Sequence, residues 1–357
     1  MFPAKNLLTN CLCRLKPNKF GKTSNLQQQH LSTTANFSST EQPETDHHHT
    51  APYQYLGSLT AEQRAFYAEH GYLVLKSLVP QSHLSEYNRR FEEYATGARK
   101  PSSPELVLLR EVSSLADPLS PQTLYKLNEL YVDEVLFGYP VLPAILDAVQ
   151  SIVGPNIMMI NSMLINKPPD KGTKSSRHPL HQDLYYFPFG PADRITCAWT
   201  AMERITRENG ALVVVPGSHR GGLLRHEAPQ WAGGVNLHFD GIADYQSLAE
   251  KRVHLAMDPG DCVLFHSALV HGSGVNRTAG FRRAISAHYA PVEATWIEDG
   301  SSSSSEQTFK VGDRLTESIK KKFGVEEEEE QVHLQFNYSD FWKIRGRQVR
   351  GEGCWEL

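Results

Sequence analysis

Beyond Gly154 the chain breaks into short apolar runs that are too brief for helices and are separated by turn residues. They read "IMMINSMLINKP", "HQDLYYF", "ITCAWTAMERI", "ALVVVPGSH", "RVHLAMDPGDCVLFH", "ALVHGSG" and "FRRAISAHYAP", with Asn209-Gly210 and Pro259-Gly260 among the breaks. β-forming residues in runs of this length, punctuated by glycine turns, predict antiparallel strands. Seven or eight such strands favour a closed, mostly β structure of the two-sheet jelly-roll type.

Ahead of these strands the pattern is helical. In "SLTAEQRAFYAEHGYLVLKSLVP", Thr60 and Gln63 have capping-box spacing and Gly71 ends the helix, after which "YLVLKSLV" is a strand. Leu84, Tyr87, Phe91 and Tyr94 recur at helical spacing in the next segment, a stripe that means core packing. A further helical pair is expected across "TLYKLNELYVDEVLFGYPVLPAILDAVQSIVG".

Composition narrows the function classes. With 36 basic and 40 acidic residues the formal charge is -4, which offers no electrostatic footprint for nucleic acid. Five cysteines, Cys11, Cys13, Cys197, Cys262 and Cys354, lack paired metal spacing and read as reduced thiols. No apolar run approaches the roughly 20 residues that span a bilayer. Met1 to Thr40 holds no acidic residue but five basic ones, Lys5, Arg14, Lys16, Lys19 and Lys22, a bias typical of targeting segments. A mitochondrial presequence fits the missing acids, whereas a peroxisomal signal is only approached by Lys22 and His30-Leu31.

The stretch "HPLHQDLYYFP" carries the chemistry. Alternate residues of a strand share a face, so a strand through His181 and Asp183 presents an imidazole beside a carboxylate. His271, expected at the end of a strand, can complete a two-histidine, one-carboxylate facial triad that binds Fe(II) and leaves positions open for a cosubstrate and oxygen. Arg282 follows on the returning strand, where a planar guanidinium can hold the far carboxylate of a 2-oxo dicarboxylate. Taken alone His-x-Asp is weak; the distal His and the Arg on successive β-patterned segments raise its weight.

"HPLHQDLYYFPFGPADRITCAWTAMERITRENGALVVVPGSHR", "GDCVLFHSALVHGSG", "GFRRAISAHYA" and "SMLINKPPD" resemble the phytanoyl-CoA dioxygenases, and the match runs from about Leu56 to Ala290. The resemblance implies a double-stranded β-helix, cupin-like, and 2-hydroxylation of a branched fatty acyl-CoA in fatty acid α-oxidation. It implies Fe(II) as metal, with 2-oxoglutarate and O2 consumed, succinate and CO2 released, and ascorbate as reductant. His181, Asp183 and His271 match the iron ligands of that family. The positions that contact 2-oxoglutarate fall on Lys126, Met163, Gln182, Trp199, Ser273 and Arg282. Without the resemblance, Met163 and Trp199 read as core fillers, Lys126 as a solvated helix residue and Ser273 as a turn residue.

The division expected from this pattern is a targeting segment and linker over 1–55, a helical part packing on the barrel over 56–154, and a catalytic β core over 155–295. A serine-rich loop with a C-terminal helix and tail fills 296–357. Lys174 and Arg177, in the loop before the metal strand, are candidates for the CoA phosphates. The compartment implied by resemblance is the peroxisome, with the mitochondrion as alternative and an import receptor as partner of the N-terminal segment. Other acyl-CoA or small-metabolite substrates, a non-catalytic lipid- or metal-binding jelly roll, and zinc-dependent hydrolysis stay open on the residues alone. Asp183 fills the position that halogenating relatives leave vacant, which favours hydroxylation.

Overall fold

The computed structural model describes residues 57–110, 123–170, 172, 176–187, 189–228, 239–296 and 338–353. The targeting segment, Lys174, Cys11, Cys13, Cys354, the serine tract, "TESIKKKFG" and "EEEEE" lie outside the described residues.

Two antiparallel sheets form the core. The larger has eight strands, ordered Tyr72–Leu75, Cys262–His266, Thr196–Ala201, Arg282–Pro291, Ile157–Lys167, Leu124–Asn128 and Val107–Arg110, with Arg347–Arg350 also pairing with Ile157–Lys167. The smaller has four, ordered Val253–Leu255, Leu212–Val214, His271–Ser273 and His178–His181. Trp199, Val263, Phe265 and Ala284 of the large sheet pack against Leu212, Val214 and Leu255 of the small one. Neighbouring residues on the same strands, such as Ala198, Leu264 and Ile285, face the other way and meet the helices. Thr196–Ala201 is therefore buried at every residue, as a strand covered on both faces must be.

The helices Ala61–His70, Gln81–Ala95 and Pro143–Val153 cover that outer face. Thr60 and Gln63 close the expected capping box, and Gly71 ends the first helix with φ 77°. Leu84, Tyr87, Phe91 and Tyr94 are all buried. Among the described residues no helix is long and apolar enough to cross a membrane.

Three local expectations need correction. Leu124–Asn128, expected to be helical, is a strand paired with Ile157–Lys167 and Val107–Arg110. The ladder partners available there outweigh a local pattern that suits either structure, and only Pro143–Val153 of the expected pair is a long helix. The strand through "HQDLYYF" ends at His181, and Asp183 opens a short 3-10 turn, Asp183–Tyr186. His271 begins its strand rather than ending it.

The junction between the first strand and the large sheet depends on one carboxylate. Buried Asp261 accepts hydrogen bonds from the Lys76 ammonium at 2.6 Å and from the Ser77 and Asp258 amides at 2.9 Å each. The Ser77 amide belongs to a residue with φ 50°, a conformation that needs such support. Burial pushes the Asp261 carboxyl up, but Lys76 and the two amides outweigh it and hold it below the usual range. Asp261→Ala is expected to lower the unfolding free energy by about 2–3 kcal/mol at pH 7. The difference is full above the unfolded carboxyl's value of about 3.9 and closes as pH falls through the lower folded value, which denaturant titrations at several pH values would check.

Candidate metal centre

The site is assembled by an antiparallel pair of strands. His271 and His181 are direct register partners, and their rings lie 4.3 Å apart. Gln182, with φ -120° and ψ 128°, continues the extended path for one residue, so Asp183 still emerges on the side of His181. Its Oδ1 lies 3.3 Å from His181 Nε2 and 3.6 Å from His271 Nε2. One donor atom from each of the three residues falls within 4.8 Å of the others, and the residues are 5–8% exposed.

The surrounding bonds prepare each donor. His181 Nδ1 donates to the Pro179 carbonyl at 2.9 Å and His271 Nδ1 to the Leu269 carbonyl at 3.0 Å. In the neutral rings this leaves both Nε2 lone pairs facing the site. Burial pushes His271 down to about 4, so it is neutral at pH 7. Burial alone would raise the Asp183 carboxyl, but the adjoining His271 and His288, with the His288 hydrogen bond to Oδ2 and His181 close by, hold it well below the ordinary range. Two imidazole nitrogens and a carboxylate form a facial donor set suited to a divalent first-row metal with coordination positions left open.

Beyond the donors, the strand registers place several of the sequence candidates on one face. Met163 pairs with Ser286, and Ser286 pairs with Trp199, so these three form a row across the large sheet. Arg282 stands four residues from Ser286 and so shares its face. Arg282 is 1% exposed, and its guanidinium lies 5.3 Å from the Trp199 ring. One terminal nitrogen donates to the Gly210 carbonyl at 2.7 Å, while Nε and Nη1 are buried without a protein partner. Two buried orphan N–H groups on a cation fit a carboxylate ligand. Burial brings this guanidinium down to about 10, so it stays charged at neutral pH.

Lys126 is half-buried, with its ammonium 5.1 Å from the Phe239 ring. Burial and the charge of Arg345 bring it down to about 8, against the opposing pull of Asp183 and Glu129. Gln182 is fully buried, and its amide is spent on the fold: it donates to the Ala268 and Gly222 carbonyls at 2.7 and 2.8 Å and accepts from the Leu224 amide at 2.7 Å. Ser273 pairs with His178 and Leu212 on the small sheet, and Arg177 stands just before the metal strand.

Sequence reasoning missed His288. Its Nε2 lies 2.9 Å from Asp183 Oδ2, the oxygen not turned toward the two ligand histidines. Alternation along "RRAISAHYA" gave the available signal, since Arg282, Ser286 and His288 are of one parity.

Comparison with known proteins adds three findings. The family described as Phytanoyl-CoA dioxygenase (PhyH) matches residues 67–284. A human protein named "Phytanoyl-CoA dioxygenase, peroxisomal" is 45% identical over 310 residues, covering 85% of this chain and 87% of its own. A "Probable phytanoyl-CoA dioxygenase" of Caenorhabditis elegans is 42% identical, covering 82% and 94%. Among solved structures, EctD from S. alaskensis in its apo form superposes with a TM-score of 0.53 at 21% identity, covering 69% of this chain and 84% of its own. The epimerase SnoN, solved with Fe3+, alpha ketoglutarate and nogalamycin RO, gives 0.51 at 20%, covering 67% and 86%. At those identities the structural likeness concerns the fold.

Removing the hydrogen bond from His288 should loosen the carboxylate donor without abolishing the site. His288→Phe is expected to weaken Co(II) binding roughly 10–100-fold, read from the visible absorption of the Co(II) complex, with the circular dichroism spectrum unchanged.

Proposed function

The chain belongs to the phytanoyl-CoA dioxygenase family, and we propose that it is an Fe(II)- and 2-oxoglutarate-dependent dioxygenase that hydroxylates carbon 2 of phytanoyl-CoA. The observation that carries this reading is the convergence of His181, Asp183 and His271 together with the two orphan N–H groups of buried Arg282. A metal site alone would also suit a hydrolase; the second anchor, a desolvated guanidinium with unused donors, calls for a carboxylate-bearing cosubstrate.

In this reading His181 Nε2, Asp183 Oδ1 and His271 Nε2 hold the ferrous ion. A ferrous ion held there would let O2, the oxidant, hydroxylate a C–H bond at the expense of 2-oxoglutarate, one oxygen atom entering the product and the other the succinate formed as CO2 is lost. The chain's own part is positioning. Arg282 takes the far carboxylate of 2-oxoglutarate through Nε and Nη1, and Trp199 backs the guanidinium while Met163 lines the same face. Lys126 adds a cation on the Phe239 side, and Ser273 borders the site on the His271 strand. Burial of these groups excludes water and strengthens each polar contact. Asp183 occupies the third ligand position, which directs the chemistry to hydroxylation.

The relatives' names support phytanoyl-CoA as the thioester and the peroxisome as the compartment; α-oxidation of branched fatty acids as the process and ascorbate as the reductant of the iron complete the proposal. Lys174 and Arg177 are assigned to the CoA end of the substrate, and an import receptor to the N-terminal segment.

Purified, folded protein with Fe(II) should release succinate from 2-oxoglutarate on addition of phytanoyl-CoA, only in the presence of O2, and yield the 2-hydroxy thioester. Thioester-independent or absent succinate release in folded protein would overturn the assignment. Arg282→Lys loses at least one charge-assisted hydrogen bond, so its KM for 2-oxoglutarate is expected to rise about 10–100-fold, and His271→Ala should lose turnover while retaining its fold.

A further inference from the structure

On the outer side of the four-stranded sheet lies a cavity of about 360 Å³ whose walls include Arg177, His178, Tyr245, Arg252, His254 and Arg277. Strand alternation explains why it is polar. Leu255 pairs with Leu212, and both point between the sheets, so His254 and its register partner Val213 face outward. The His254 ring lies within the electrostatic reach of Arg207, Arg252 and Arg277, whose charges add to burial in pulling it down. His254 Nδ1 and Arg252 Nε are buried and have no protein partner. Arg252 is held in place, with one terminal nitrogen donating to the Tyr245 carbonyl and its guanidinium 5.8 Å from the Tyr245 ring.

The charge balance at this cleft runs against that of the whole chain. Arg177, Arg207, Arg252 and Arg277 gather here in a protein of formal charge -4. Three acids stand among them. Asp170 lies within the electrostatic reach of Arg177. Glu227 lines the wall but is paired with Arg225 at 2.9 Å, and Glu208 lies beside Arg207 and Arg277. The excess is positive, and guanidinium N–H groups with orphaned nitrogens nearby suit an oxyanion held in several hydrogen bonds. The lining includes His178, whose ring lies 4.6 Å from that of His181. A thioester placed with carbon 2 at the metal centre carries its phosphates at the far end of a long, flexible arm, and this cleft shares in one lining a neighbour of the metal-site His181 and a cluster of arginines.

We propose that this cleft is a phosphate-binding subsite centred on Arg252, His254 and Arg277, and that the phosphates it takes are those of the substrate's CoA moiety. The subsite rests on the reading of the metal centre as a thioester oxygenase, but its anion chemistry can be tested apart from turnover. Free inorganic phosphate shares that chemistry and is the competing source.

Two measurements on the full chain decide. The first is calorimetric binding of adenosine 3',5'-bisphosphate and of inorganic phosphate to wild type, Arg252→Gln and Arg277→Gln. Arg277 is exposed, so its variant should fold even if the Arg252 variant, which loses its bond to Tyr245, does not. The bisphosphate is expected to bind more tightly than phosphate and to weaken at least tenfold in each folded variant. The second is the ratio of kcat/KM for the CoA thioester to that for the pantetheine thioester of the same acid, which lacks the nucleotide phosphates. That ratio should be well above one in wild type and fall at least tenfold in the variants. A ratio near one, or one that survives the substitutions, overturns the proposal. Equal binding of phosphate and bisphosphate, without inhibition of thioester turnover by either, assigns the cleft to free phosphate and overturns the CoA source. If neither thioester is turned over while bisphosphate binding still depends on Arg277, the oxygenase reading fails and the anion site stands.

Discussion

Two imidazoles can share one metal only if the backbone carries them to the same point, and here an antiparallel ladder does so by pairing His181 directly with His271. A slip of one residue would turn His271 to the outer face and dissolve the site. The approach of the two strands is close enough that a Cβ on Gly272 would lie 2.8 Å from the Pro179 carbonyl oxygen. Glycine at 272 is therefore a condition of the ligand geometry, since a side chain there would push the strands apart. Gln182 secures the same junction from behind, its side-chain amide tying the metal strand to Ala268, Gly222 and Leu224.

The opposite end of the site is set by electrostatics. Arg282 is the register partner of Lys167, so two cations lie side by side in a buried region. They are not equivalent. Burial and the neighbouring guanidinium push the Lys167 ammonium well below its ordinary range, and its nitrogen donates to the Ser176 carbonyl. Arg282 keeps its charge under the same burial because a guanidinium starts from a higher value. Gly210 completes the corner: its φ of 85° suits glycine, and a Cβ there would lie 2.7 Å from the Lys167 side chain. The Gly210 carbonyl takes one N–H of Arg282 and leaves the others for a ligand. The setting of the Arg282 guanidinium thus comes from a turn residue, a strand pair and burial acting together.

Between these ends the strand Arg282–Pro291 acts as a ruler. On one face it carries the anchor Arg282, then Ser286 in the row with Met163 and Trp199, then His288 against Asp183. Both oxygens of Asp183 are used, one toward the ligand histidines and one toward His288. The carboxylate is consequently oriented before any metal arrives, which reduces the ordering cost of binding it.

Much of this was legible along the chain. The capping box at Thr60, the stripe of Leu84, Tyr87, Phe91 and Tyr94, the two-sheet β core and the His181-x-Asp183 pair follow from local periodicity and short spacings, which the sequence carries directly, while the distal His271 was offered as a third donor by its β-patterned segment. Other features were not. The strand at Leu124–Asn128 forms because two neighbouring strands offer ladder partners, and Lys126 owes its half-buried position to that strand. The partnership of His288 with Asp183 spans 105 residues, and the arginines round His254 come from the Thr206–Glu208, Arg252 and Arg277 segments of different loops and strands. Sequence alone determined which donors exist and, for His181, His271 and Arg282, which strands present them, because alternation is a property of the backbone itself. Only the tertiary structure decided which donors are left unpaired and which charges share a cavity, because burial and long-range contact depend on every strand closing at once.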